Sequence, residues 1–140
     1  MNPADLATIH ARAMVHSKPW SANEFQALLA QKPTLLVADD NGFLLGRLVV
    51  DEAEILTLAV DPEHQRQGIA LMHLTSFEEI VARAGAKRAH LEVAVTNAPA
   101  LALYQSAGYS KTGTRRNYAR AKNGGSTDAF TMSKLLTHRS

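Results

Sequence analysis

Three apolar runs, Thr34 to Ala38, Phe43 to Val50 and Ile55 to Val60, follow one another with only short polar connections between them, Asp39-Asp40-Asn41-Gly42 and Asp51-Glu52-Ala53. A parallel crossover needs about a dozen residues or more, so strands spaced this closely must pair as antiparallel neighbours. Asn41-Gly42 is a hairpin signal in its own right. The three runs therefore read as a meander. A doubly wound parallel sheet, in which a helix separates each strand from the next, fits this order poorly.

The flanking segments extend the pattern. Ala4 to Met14 places Leu6, Ile9 and Ala13 at helical spacing, and Ser21 with Glu24 three residues later is a capping box opening a second helix through Phe25, Leu28 and Leu29. Gly68 to Ala84 carries Ile69, Met72, Leu74, Phe77, Ile80 and Val81 near a 3.6-residue period, with Gly85 placed to end it. Arg88 to Val95 alternates as a strand, and Ala98 to Ala107 reads as a helix stopped by Gly108. Tyr109 to Thr112 reads as a short strand, Asn123-Gly124-Gly125 as a polar loop and Thr127 to Leu135 as a last strand. The expected fold is α/β (α+β), a mixed, mostly antiparallel central sheet flanked by helices. At 140 residues one domain, 1–140, is expected.

Composition excludes several chemistries. With no cysteine there is no disulfide, thiolate zinc site or cysteine nucleophile. The six histidines occur singly, without the spacing of a metal motif, so no metal is expected. No apolar run approaches the roughly 18 residues of a membrane span, and the start Met-Asn-Pro-Ala-Asp-Leu lacks the basic and apolar parts of a secretory signal. No membrane association and a cytoplasmic location are expected, as a monomer or homodimer.

The net charge of +2 hides an asymmetry: residues 1–86 hold six Lys/Arg and eleven Asp/Glu, residues 87–140 nine and two. A basic half attracts phosphates and an acidic half a cationic substrate, although each charge can equally be part of a solvated face.

The segment Leu56 to Leu71 narrows the function. There a strand ends, a turn follows and Gly68 opens the long helix. The first turn of a helix leaves about four backbone N–H groups unpaired and partly positive, a seat for an anion. Gly68 removes the side chain that would hold a phosphate away, and Ala70 is small. A glycine at a strand-to-helix turn is also common for structural reasons alone. The segment is neither a Walker loop nor a dinucleotide fingerprint.

Gln65-Arg66-Gln67-Gly68-Ile69-Ala70 resembles the acetyl-CoA pyrophosphate motif of the GNAT acetyltransferases, Gln/Arg-x-x-Gly-x-Gly/Ala, and follows a strand end, Leu-Ala-Val-Asp-Pro, of the same type. Leu91-Glu92-Val93, Asn97 and the run from Ala100 through Leu103-Tyr104 to Gly108-Tyr109 resemble that family's Leu-Glu-Val-x-x-x-Asn then Ala-x-x-Leu-Tyr-x-x-x-Gly-Phe/Tyr pattern. The resemblance implies acetyl-CoA as co-substrate, held by Arg66, Gln67, Gly68, Ile69, Ala70 and Leu71. The strand end Leu58-Ala59-Val60 counts with that site, Leu58 and Val60 through backbone groups. Asn97, an N-cap by position, would also bond the pantetheine arm.

Acetyl transfer to an amine needs a base to take the amine's proton and an acid for the departing thiolate. Glu92, between Leu91 and Val93, sits in an apolar strand where burial would make its carboxylate readier to take a proton. Read from residues alone it is a solvent-facing charge on an alternating strand; the resemblance makes it the base. Tyr104 reads first as a core aromatic with its hydroxyl at the rim, and the resemblance makes it the general acid. Direct attack without an acyl-enzyme is expected. Ala70 departs from the commoner second glycine, which implies weaker or displaced phosphate contact.

Thr114-Arg115-Arg116-Asn117-Tyr118 with Asp128-Ala-Phe-Thr-Met132, and Pro19-Trp20-Ser21, resemble segments of the ribosomal-protein-alanine N-acetyltransferases. The acceptor this implies is a ribosomal protein's N-terminal alanine, with Trp20 and Tyr118 lining its side. For each aromatic, a core or surface role is the plainer reading. Ala94 and Ala119 depart from that pattern. The alternatives are a small-amine acetyltransferase for polyamines or aminoglycosides, and, in another class, an acetyl-CoA-sensing or basic RNA-associated module built on the Arg115, Arg116, Tyr118 and Arg120 cluster. Low aromatic content and the absence of a nucleic-acid motif speak against RNA.

Overall fold

The computed structural model describes residues 1–14, 18–120 and 125–136. Its elements are helices α1 (Pro3–Ala13), α2 (Ala22–Leu29), α3 (Ile69–Arg83) and α4 (Ala98–Ser106), and strands β1 (Thr34–Ala38), β2 (Gly42–Val49), β3 (Glu52–Val60), β4 (Arg88–Ala94), β5 (Ser110–Arg120) and β6 (Ser126–Leu135). The strands form one six-stranded sheet in the order β1-β2-β3-β4-β6-β5, in which only the β3–β4 pair is parallel. The meander and the mixed, mostly antiparallel sheet are as expected. Among the described residues no helix is long and apolar enough to cross a membrane.

Local chemistry fixes the helix starts. Ser21 accepts from the Glu24 N–H while Glu24 accepts from the Ser21 N–H, the expected capping box. Asn2 and Asp5 make a second such box at α1, which the helical spacing alone did not reveal. Gly85 and Gly108 follow α3 and α4 with φ of 105° and 99°, the left-handed geometry that ends a helix.

Two boundaries differ from expectation. Glu52 and Ala53 belong to β3, because the turn is only Val50-Asp51 and pairing runs to Val49↔Glu52. β5 runs to Arg120 and not to Thr112. As an edge strand it lacks apolar alternation, so its polar second half looked like loop. Of the expected Asn123-Gly124-Gly125 loop, the first two residues lie outside those described.

The sheet has two differently covered faces. α3 and α4 pack on one face around Phe77, Leu74, Val81, Ile55, Leu91 and Tyr104. α1 and α2 cover part of the other, where Leu6, Ile9 and Phe25 meet Phe43, Leu45 and Ala59. Burying a side chain of this size contributes roughly 1.5–3 kcal/mol. Gly46 is required by close approach: a Cβ there would stand 2.6 Å from the Phe77 ring. Tyr109 donates to Glu78 at 2.8 Å, and Lys134 donates to the same carboxylate at 2.8 Å, tying α3 to β6 and the start of β5.

The feature that makes the site is an irregularity in β3. Leu45 pairs with Thr57 but Gly46 pairs with Ile55, which leaves Leu56 as an extra residue. The bulge reverses the alternation: Ala53 and Ile55 face α3 before it, and Leu58 does so after it, while Ala59 turns toward α1. Pairing of β3 with β4 stops at the same point, Ile55↔Leu91. Beyond it the two strands part, and a cleft opens between them.

Candidate active site

The cleft has a volume of about 500 Å³ and is lined by both parted strands, by the loop before α2, and by α4 and β5. Leu58, Glu92, Asn97, Tyr104, Trp20 and Tyr118, six of the residues expected at the site, all line it. Ala59 and Val60 are buried at the end of β3. Arg66 to Leu71 lie beyond that end, outside the cleft lining, on the turn that continues from it and the first turn of α3.

That turn is shaped for an anion. Arg66 has φ of 65° and Gly68 of 79°, and Gly68 is the N-cap of α3 with no side-chain hydrogen bond capping the helix. The first turn of α3 carries no acidic residue, and a Cβ built on Gly68 would meet nothing within 4 Å. Free N–H groups, a helix dipole and open space above the glycine are what a pyrophosphate requires. Gln65 Nε2 donates to the Val60 carbonyl at 3.1 Å, which fastens the turn to the strand. Arg66 is exposed and makes no ion pair among the described residues, so its guanidinium is free to meet phosphate charge.

Glu92 pairs with Thr131 on β6 while its neighbours Leu91 and Val93 enter the core, so its carboxylate points to the other face, into the cleft. The expected burial is only partly met. Its side chain is 23% exposed and lies 3.3 Å from the Arg115 guanidinium, because α1 and α2 leave this part of the sheet uncovered. An opposite charge, not an apolar shell, is its main neighbour.

Tyr104 is 6% exposed, set edge-on to Tyr109 with ring centroids 5.7 Å apart. Burial pushes its phenol pKa upward, which keeps it protonated and able to donate. No partner for its hydroxyl occurs among the described residues, and none of their buried side-chain oxygens is left unpaired. The hydroxyl therefore opens on the cleft that the residue lines. Asn97 caps α4, its side chain accepting from the Ala100 N–H at 3.2 Å, as its position predicts.

Both aromatic residues expected on the acceptor side line the cleft, and each also fills the plainer role weighed for it. Trp20 stacks with His10 and Phe25, at 5.2 and 5.4 Å between centroids, and also lines the cleft. Tyr118 is 55% exposed and lies under the Arg115 guanidinium at 4.6 Å. It reaches the cleft because residues 116–118 are a bulge: Arg115 pairs with Ala129 and Ala119 with Thr127, and Asn117, at φ 53°, donates its N–H to Asp128.

Three cleft-side groups escaped the sequence reading. Arg115, placed among the charges of a basic tail, is the partner of Glu92. His10, hidden in an apolar helix pattern, is buried and joins Trp20 to Thr57. Glu54 reaches the lining beside them, paired with Arg47 at 2.7 Å. A charged residue on an alternating strand, such as Glu54, was the one available signal. Among the described residues no group of three or more metal-ligating side chains assembles.

Comparison with known proteins agrees with this geometry. Residues 5–109 match the acetyltransferase (GNAT) family. The chain is 34% identical over 116 residues to the [ribosomal protein bS18]-alanine N-acetyltransferase of Escherichia coli (strain K12), covering 80% of this chain and 78% of that one. It is likewise 34% identical over 135 residues to the N-alpha-acetyltransferase RimI of Mycobacterium tuberculosis, covering 90% and 82%. The crystal structure of the ribosomal-protein-S18-alanine N-acetyltransferase from Escherichia coli superposes with a TM-score of 0.84 at 30% identity, over 99% of this chain and 90% of that one. With the bulged strand, the uncapped α3 turn and the shared cleft, these matches place the chain in the GNAT acetyltransferase family.

Proposed function

We propose that this chain, acting as one domain over residues 1–140, is an acetyl-CoA-dependent N-acetyltransferase that acetylates the N-terminal alanine of a ribosomal protein. The observation that carries the reaction is the presence of Glu92, on β4, and Tyr104, on α4, in the lining of the one cleft, beside the anion-shaped turn of α3. The acceptor rests on the relatives named for ribosomal-protein alanine, together with Trp20 and Tyr118 at the cleft.

The residues present fit the donor. The uncapped first turn of α3 and Arg66 suit its pyrophosphate, Asn97 and the unpaired edge of β3 after Leu56 suit its amide-bearing arm, and bound acetyl-CoA supplies a thioester carbonyl to the cleft. The chain's own groups do the rest. Glu92 takes the ammonium proton of the acceptor, leaving the amine neutral for direct attack. The Tyr104 hydroxyl donates to the departing sulfur. Arg115 holds the Glu92 carboxylate in place until a cationic amine competes for it.

The RNA-binding reading loses ground on geometry, since Arg115 and Tyr118 are engaged with Glu92 and each other at the cleft. The side chain of Arg120 lies outside the described residues. A small-amine acceptor is separated by experiment. Free-thiol release from acetyl-CoA is measured with a basic Ala-started peptide, the same peptide N-terminally blocked, a polyamine and an aminoglycoside. Turnover is expected with the free peptide alone, and to be lost in Glu92→Gln; turnover only with a small amine would replace the acceptor, and none at all would overturn the enzyme reading.

A further inference from the structure

His10 is the most deeply buried titratable group beside the cleft that the reaction does not use, 2% exposed in the last turns of α1. Both ring nitrogens are committed. The Trp20 backbone N–H donates to Nδ1 at 2.9 Å, so Nδ1 must be the bare nitrogen, and Nε2 carries the hydrogen that is donated to Thr57 Oγ1 at 2.9 Å. Its ring packs on Trp20, on Phe25 at 5.3 Å and on Phe43 at 6.3 Å. Thr57 is the residue directly after the bulged Leu56, where β3 has parted from β4.

One side chain thus joins three elements: α1, the segment that carries Trp20, and the parted stretch of β3. His10, Trp20 and Thr57 all line the cleft on the side away from the α3 turn. We infer that His10 is a positioning residue that sets the acceptor side of the cleft, holding the Trp20 wall at a fixed distance from the bulge in β3. The inference rests on the acceptor reading above only for its kinetic consequence.

A role in carrying protons does not fit the same facts. Burial lowers the imidazole pKa to about 4, against the opposing pull of Glu24, so the ring is a poor acceptor for an ammonium proton. Both of its nitrogens are also already engaged. What remains is geometry: only a neutral ring with its hydrogen on Nε2 satisfies the two contacts at once. Loss of either bond leaves a buried polar group without a partner and frees the wall to move.

Trp20 is the only tryptophan, so its emission and acrylamide quenching report on this wall without any assay of activity. His10→Gln offers an amide to Thr57 but nothing at the Nδ1 position, whereas His10→Asn places a carbonyl oxygen near Nδ1. His10→Gln is expected to raise Trp20 quenching about twofold and the peptide KM about tenfold, as loss of one buried hydrogen bond would, with the acetyl-CoA KM unchanged. His10→Asn, which restores the contact to Trp20 but not the one to Thr57, should recover part of both effects. Thr57→Val, which does not touch Trp20, should raise quenching in the same direction, because the ring then loses its anchor on β3 and its Nε2–H is left without a partner.

Quenching that is unchanged in both His10→Gln and Thr57→Val, or a parallel rise in both KM values with no recovery in His10→Asn, would overturn the inference. If the wild-type protein does not turn over the peptide, the quenching series still decides the role of His10, and only the acceptor reading falls.

Discussion

One wall of the site, Leu58 and Asn97 in the cleft with the Gln65–Gly68 turn beyond its lining, is made mainly of backbone: a parted strand edge, an uncapped helix turn and a helix cap. The opposite wall, Trp20 and Tyr118 with Arg115 against Tyr118, is made of side chains carried there from the two ends of the chain and held by His10, Thr57 and Glu92. A wall of backbone can be specified by a glycine and a cap within a few residues. A wall of side chains needs partners distant in sequence, such as His10 and Thr57, 47 residues apart. The first suits a donor that is the same in every turnover. The second can be altered by single substitutions, and is where acceptor choice would be set.

The largest effect should come from the groups that lie between the walls. Glu92→Gln is expected to lower kcat by about 10²–10⁴, the range for loss of a general base, with both KM values little changed. A change confined to the peptide KM would move Glu92 out of the reaction and into the acceptor wall. Steady-state kinetics with both substrates varied distinguishes the two.

Next in size is a pH effect confined to the side-chain wall. The folded protein holds the His10 pKa near 4 against 6.5 in solvent, so the unfolded chain binds the proton first as pH falls. This contribution is complete above about pH 6.5 and declines toward pH 4, a loss of up to about 3 kcal/mol in unfolding free energy. Urea titrations across that window should show the slope, and His10→Asn should lack it.

The backbone wall predicts a smaller, opposite-sided result. Gly68→Val should raise the acetyl-CoA KM about tenfold, since it forces a β-branched residue into φ of 79° and fills the anion seat. The peptide KM should stay within about twofold. If the peptide KM rose as much, the two walls would not be separable.

Smallest is a change outside both walls. Val50 sits at φ 58° in the β2–β3 turn, 87% exposed, a left-handed position costly for a β-branched residue. Val50→Gly should raise stability by about 1 kcal/mol and alter neither KM, as thermal unfolding and kinetics would show.

The contrast between the walls also explains what could be read from the sequence. Gly68, Asn97, Ser21 and Gly108 mark local geometry with local chemistry, so the α3 turn, the caps and most element boundaries were legible. The alternation of Ala89, Leu91 and Val93 correctly turned Glu92 away from the core. The bulge at Leu56 was not legible, because an extra residue exists only relative to the partner strand. The length of β5 was hidden for the same reason: its second half is polar, exposed and bulged against β6. Arg115 looked like one charge in a basic tail until the sheet set it beside Glu92, and His10 looked like a polar interruption of an apolar helix face.

In the proposed reaction one cleft brings an acetyl donor on the backbone wall to an N-terminal amine on the side-chain wall. Its most direct test is mass-spectrometric location of the acetyl group after incubation of the protein with acetyl-CoA and a peptide that bears both an N-terminal alanine and internal lysines. The account predicts acetyl on the alanine α-amine alone, abolished in Glu92→Gln. Acetyl on the lysine side chains, or a peptide left unmodified at every amine, would contradict it.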